Sequence, residues 1–539
     1  MTIEGNILDV VQERQFFGAI HWNDGVIQQI DVLGEIRTDS PWITPGFVDA
    51  HVHVESSLLP PGEFARMAVV HGTIGSVSDP HEIANVLGVA GVEFMLDEAA
   101  KVPFKFCFGA PSCVPATRYE TAGAEISVAD VEALLDRPEI GYLAEMMNFP
   151  GVLHQDPDVL AKIDAAQKKG KPVDGHAPGL RGDAAKQYVA AGMSTDHECF
   201  TAEEAEEKLN LGMKILIREG SAAKNFTALI PLAVTRGQEM MFCSDDKHPD
   251  SLLEGHINQL VARAIQFGVD PMIAFQMASR NPVRHYALSV GLLQPGDAAD
   301  FVIVDQLETC QVESTYIGGV CVAHQGKSLL SPALAQPVNR FVSRVVSLSD
   351  IQYEVKAEDT ECQVIRILDG QLITENVGYP LEVIQDTSRD ILKLVVVNRY
   401  HDAPPAVAFV EGFGLLQGGL ASSVAHDSHN IVAVGKTDED LVNVIQAVMQ
   451  EEGGLALSCE DVRAVLPLPI AGLMSDQDGY SVAAKYSELD DLAKNKLGST
   501  LVSPFMSLSF LALLVIPSLK LSDLGLFDGD SFTFTRPTR

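Results

Sequence analysis

The sequence predicts an α/β protein organised around a (β/α)8 TIM-type barrel. A small β-sandwich domain is built from both flanks, and a C-terminal α+β domain follows. Three observations carry this. From Phe47 to about Asn281, short apolar runs alternate eight times with helix-like segments. Imidazole and carboxylate side chains recur where those runs end. Turn-rich β-type segments flank the alternating region on both sides.

The eight strand candidates are Phe47–Val54, Thr73–Ser78, Phe104–Gly109, Ile140–Met146, Pro172–His176, Met193–His197, Lys214–Arg218 and Met240–Ser244. Helix-like stretches such as Glu82–Ala100, Asp158–Lys169 and Leu252–Phe267 lie between them. Ser127, Asp156 and Thr201 stand where helices should start, as capping residues do. A doubly wound sheet is the alternative arrangement of the same elements.

Before the barrel, Phe16–Ile20 and Val26–Ile30 flank Asn23-Asp24-Gly25, a hairpin signal. After it, residues 291–305, Val312–Ile317 and Val320–His324 are strand-like and supply partners for the N-terminal hairpin. The expected domains are 1–44 with 291–335, then 45–290, then 340–539. Ser331 to Pro337 reads as the linker into the last of these. There, Leu394–Asn398, Ala406–Val410 and Ile431–Val434 read as strands and Asp438–Glu451 as a helix.

The chain has 539 residues and a formal charge of −35, with no basic cluster. That argues against nucleic-acid and anionic-membrane partners. The eight cysteines are scattered without a Cys-x-x-Cys pair, which suggests reduced thiols and a cytoplasmic location. Met1–Val11 lacks a basic leader, and the apolar run Leu508–Ile516 is too short to span a bilayer and reads as core.

Metal chemistry is written at the strand ends. His51 and His53 leave the first strand on one face, because strand side chains alternate. The second strand runs into Asp79-Pro80-His81-Glu82, and the fourth carries Glu145. His176, His197 and Asp245 follow the fifth, sixth and eighth. Active sites of such barrels lie at this end. Six protein ligands exceed what one catalytic ion with an open position takes, and suit two divalent ions sharing a bridge. Glu145, with two oxygens, is the expected bridge. Asp245 can both ligate and accept a proton from metal-activated water.

These residues resemble the amidohydrolase superfamily, through Pro-Gly-Phe-Val-Asp-Ala-His-Val-His at 45–53, His176, His197, Asp245 and the return segment 293–300. Within it the chain is most similar to the adenine deaminases. Residues 51–57, 79–88, 111–117, 174–179, 244–250, 426–430 and 467–474 carry that similarity over nearly the whole length. The resemblance implies hydrolysis of adenine to hypoxanthine and ammonia, with Mn2+ or Fe2+, or else Zn2+, as the two ions. It also implies Glu145 in place of the carboxylated lysine that many relatives use, and a homo-oligomer. Glu82, Glu120 and His81 are the candidates to protonate the purine ring. Arg118, His426 and His429 join His81 as candidates to touch substrate. Other readings stay open: a different heterocycle or cyclic amide, or a non-catalytic scaffold. His53-Val54-Glu55 also matches the His-x-Glu element of zinc cytidine deaminases, but no Pro-Cys-x-x-Cys follows.

Overall fold

The structure is a computed structural model describing residues 1–384, 386–460 and 462–539. Strands β1 (Thr2–Asp9), β2 (Arg14–Asn23), β3 (Val26–Gly34) and β4 (Trp42–Pro45) open the chain. Asn23 pairs directly with Val26, so Asp24 and Gly25 alone make the β2–β3 turn. Both have positive φ, 49° and 77°, as the two-residue hairpin that matches strand twist requires.

The barrel follows as β5 (Phe47–Val52), β6 (Thr73–Ser78), β7 (Lys105–Ala110), β8 (Ile140–Met146), β9 (Val173–Gly175), β10 (Thr195–Asp196), β11 (Lys214–Arg218) and β12 (Met240–Cys243). Neighbours pair in parallel within the β5–β9 and β10–β12 sheets. Ser194 N donates to Val173 O at 2.8 Å and joins the two sheets. Asp245 N donates to His51 O at 2.9 Å and His53 N to Asp245 O at 3.3 Å, closing the ring. Ala50, Val77, Cys107, Tyr142, Leu216 and Met241, from six of the strands, form one buried cluster. This is the packed interior of a closed barrel and not of an open doubly wound sheet. Ser127, Asp156 and Thr201 accept from backbone N–H groups at the starts of helices Val128–Leu135, Pro157–Lys168 and Ala202–Asn210.

The chain then returns to the N-terminal strands. β13 (Phe301–Val304), β14 (Val312–Ile317), β15 (Val320–His324) and β16 (Lys327–Ser328) extend them into one eight-stranded sheet, ordered β16-β15-β14-β13-β4-β1-β2-β3. The sheet curls around Ile7, Phe16, Trp22, Ile43 and Phe301. Residues 331–347 hold no helix or strand. They are nevertheless packed: Ala333 N donates to Glu63 Oε1 at 2.7 Å, and Ala335 and Val346 are buried.

A second eight-stranded sheet follows, from β17 (Glu361–Ile367), β18 (Thr374–Pro380), β19 (Leu392–Val397), β20 (Ala406–Glu411), β21 (Gly419–Ser422), β22 (Ile431–Gly435), β23 (Gly454–Cys459) and β24 (Val462–Pro467). Side chains alternate across it. Val395, Val397, Ile431 and Ala433 pack under helix Asp438–Gln450. Leu394, Val396, Val432 and Val434 face the other way, into a core shared with the barrel. Burial on both faces explains why these strands read as continuous apolar runs. Among the described residues no helix is long and apolar enough to cross a membrane.

Candidate metal centre and active site

Glu145 lies at the middle of the polar cluster, 3% exposed at the end of β8. Its two oxygens face different partners. Oε1 is 3.2 Å from His53 Nε2 and 3.9 Å from His51 Nε2. Oε2 is 2.6 Å from His176 Nδ1 and 3.2 Å from His197 Nε2. Asp245 Oδ1 completes the first group, 3.1 Å from His53 Nε2 and 3.5 Å from His51 Nε2. All six expected ligands therefore converge from five strand ends.

The donor set fits divalent cations. The Nε2 atoms of His51 and His53 stand 3.3 Å apart, with carboxylate oxygens beside them. His53 Nδ1 is 3.2 Å from the Asp79 carbonyl, which can only accept. The hydrogen of neutral His53 therefore sits on Nδ1 and the Nε2 lone pair points into the cluster, the usual way a backbone carbonyl sets a ligand's tautomer. Imidazole with carboxylate suits Zn2+, Mn2+ or Fe2+. Buried groups of three or four such residues, with ligand atoms within 4.8 Å, include His51–His53–Asp245 and His176–His197–Glu198.

The electrostatics point the same way. Burial alone would raise Glu145, but the facing His176 and His197 imidazoles outweigh it and hold the carboxyl well below its usual range. Burial likewise opposes ionisation of Asp245, and Arg218, His51 and His53 overcome it. Burial would lower His197, yet Glu145 and Asp245 push it up to about 9. A cation occupying the cluster takes the place of those protons.

Glu82 stands at the rim, at the start of the helix following Asp79-Pro80. His426 Nδ1 lies 2.7 Å from Glu82 Oε1, and His429 Nε2 abuts Glu82 Oε2. His81 Nε2 is 3.5 Å from Glu82 Oε1. Burial would raise Glu82, but these imidazoles hold it well below the usual carboxylate range. His426 is correspondingly pushed up to about 9, burial notwithstanding. Both C-terminal histidines thus sit at the barrel mouth.

Two expected residues make their own contacts elsewhere than on the ligand cluster. Arg118 is exposed, its guanidinium over the Tyr119 ring at 5.2 Å and in contact with solvent. Glu120 is buried, and its Oε1 accepts from Thr117 N and Oγ1 at 3.1 Å each. Burial and then Asp427 raise its carboxyl well above the usual range.

The cavity also contains residues that sequence reasoning passed over. Met147, Leu372, Phe510 and Leu513 form its apolar wall, with Asp246 and Asp427 as further carboxylates. Phe510 stacks on His426, ring centroids 4.8 Å apart and 17° from parallel. Glu198 and Arg218 also line the cavity, beside the candidate ligands His176, His197 and Asp245. The triplet Asp196-His197-Glu198 and an arginine closing the apolar strand Lys214–Arg218 were visible signals for Glu198 and Arg218.

Comparison with known proteins identifies the family. The model described as "Amidohydrolase family" matches residues 42–322, and that described as "Adenine deaminase C-terminal domain" matches 371–533. A Salinibacter ruber protein named adenine deaminase is 54% identical over 539 residues, covering 99% of this chain and 98% of that one. Proteins of the same name from a Sulfurovum species and from Methanosarcina mazei are 51% and 48% identical. Each alignment covers at least 98% of both chains. The chain belongs to the adenine deaminases of the metal-dependent amidohydrolase family.

Proposed function

We propose that this chain hydrolyses adenine to hypoxanthine and ammonia at a centre of two divalent cations, Mn2+ or Fe2+ before Zn2+. Family membership supports the substrate. The observation that carries the two-cation reading is Glu145, whose oxygens face separate imidazole pairs. His51, His53, Asp245 and Glu145 Oε1 would hold one ion, and Glu145 Oε2, His176 and His197 the other. When bound, such ions polarise the substrate and make water nucleophilic near neutral pH.

The chain's own residues handle orientation and protons. Leu372, Phe510, Leu513 and Met147 receive the flat base and exclude bulk water. Water oxygen bonds to the purine C6 while Asp245 takes a proton from it. Glu82, supplied by the imidazoles of His81 and His426, protonates the adjacent ring nitrogen. Asp245 then returns its proton to the departing amine, the C6–N bond breaks, and ammonia leaves. The ring-nitrogen proton stays with hypoxanthine, and the remaining water proton goes back to the Glu82 group, so water and adenine account for every product atom.

The test is direct. Protein loaded with Mn2+ or Fe2+ is expected to release equal amounts of ammonia and hypoxanthine from adenine, and to form neither uracil from cytosine nor a ring-opened N-carbamoyl acid from a hydantoin. Turnover of cytosine or hydantoin without adenine would contradict the substrate assignment.

A further inference from the structure

Arg218 closes β11 with 2% of its surface exposed and lines the cavity beside the ligand cluster. Its Nη1 donates to Asp245 Oδ2 at 2.7 Å. The same guanidinium grips Glu198, with Nη2 donating to Oε2 at 3.0 Å and Nη1 donating to Oε1. Asn225 fixes the backbone beneath. Its Oδ1 accepts from Arg218 N at 2.7 Å, and its Nδ2 donates to His197 O at 2.9 Å. Asp245 itself sits at φ 54°, in the left-handed region that aspartate enters more readily than most residues. Its other oxygen, Oδ1, faces His53 and His51. The two carboxylate oxygens thus have separate tasks, and Arg218 occupies one of them.

We propose that Arg218 is a positioning residue for the reaction: it fixes the Asp245 side chain so that Oδ1 alone faces the metal ligands and reacting water, and Glu198 fixes Arg218 in turn. The planar fork of arginine spans both carboxylates at once, which the single ammonium of lysine does not. The inference rests on the reading above, in which Asp245 manages the proton. Losing the fork then costs orientation at the chemical step and leaves adenine binding in place.

The experiment compares wild type, Arg218→Lys and Arg218→Ala, each metal-loaded, by steady-state kinetics with adenine and by elemental analysis. Both variants are expected to keep about two metal ions per chain, with kcat down about 100-fold and KM within about threefold. Added guanidinium chloride at millimolar concentration is expected to restore part of the kcat of Arg218→Ala and to leave wild type unchanged. A wild-type kcat in Arg218→Lys would overturn the proposal, and this variant decides alone if Arg218→Ala does not fold. So would a raised KM with intact kcat, a loss of metal matching the loss of activity, or no rescue by guanidinium in folded Arg218→Ala. An active wild type with unaffected variants overturns this inference alone. A metal-loaded wild type inactive on adenine overturns both it and the reading beneath it.

Discussion

His426 donates from Nδ1 to Glu82 Oε1 at 2.7 Å, across 344 positions of sequence. This contact makes the C-terminal region part of the cavity. A barrel opens at its C-terminal rim, and here residues beyond 370 cover that rim with Leu372, His426, Phe510 and Leu513. Excluding water there strengthens every charge interaction below.

The Glu82–His426 pair is expected to act as one unit. Glu82→Gln and His426→Gln should each lower kcat by about 10²- to 10⁴-fold, the usual range for a lost general acid. The double variant should lose little more than the worse single, since both changes break one relay. Metal content should not change. Steady-state kinetics with elemental analysis checks both statements, and additive losses would refute the shared role.

Lys208 bears on stability and not on chemistry. Its Nζ donates to Asp196 Oδ2 at 2.8 Å, Glu204 Oε1 at 2.7 Å and Ala177 O at 2.7 Å, and the residue is 1% exposed. Lys208→Met would leave two buried carboxylates without their cation. The expected cost is about 3–5 kcal/mol, read as a lower denaturation midpoint in urea.

Lys520 is buried among carbonyls alone, its Nζ donating to Leu372 O at 2.7 Å and Phe510 O at 2.9 Å. Burial pushes its amine down to about 7 from 10.5. Between those values the unfolded chain binds a proton that the folded chain does not. Raising the pH removes that proton from the unfolded state, so the Lys520 contribution to stability grows from about pH 7 towards pH 10. Urea melts of wild type and Lys520→Met across this range should show wild type gaining on the variant with pH. A constant difference would contradict the depressed amine.

Much of this was legible beforehand for physical reasons. The barrel strands are buried and short, so each appears as an apolar run between polar punctuation, and all eight runs correspond to strands. β10 is the exception in length, two residues within the expected Met193–His197, because its ends peel away into the His197 loop. The candidate ligands stood out together: a polar residue at any one strand end is ordinary because loops are polar, but imidazoles and carboxylates recurring at five strand ends are not. The walls of the cavity did not stand out. Phe510 and Leu513 lie in a run that reads as ordinary core, and an apolar side chain facing substrate has the same signature as one facing protein. Arg118 and Glu120 sit in a polar loop where sequence offers no sign of direction; one points to solvent and the other to Thr117. The segment 331–337 has linker composition but is held by Glu63, a partner 270 positions away. Local pattern cannot show such a contact.

The central claim is that Glu145 bridges two cations used to deaminate adenine. The measurement that tests it most directly is metal content and ammonia release for wild type and Glu145→Ala, side by side. Wild type is expected to hold about two metal ions per chain, in keeping with a shared carboxylate, and to turn over adenine. In Glu145→Ala both metal content and turnover should fall together. A variant that keeps both ions and deaminates adenine at the wild-type rate would contradict it.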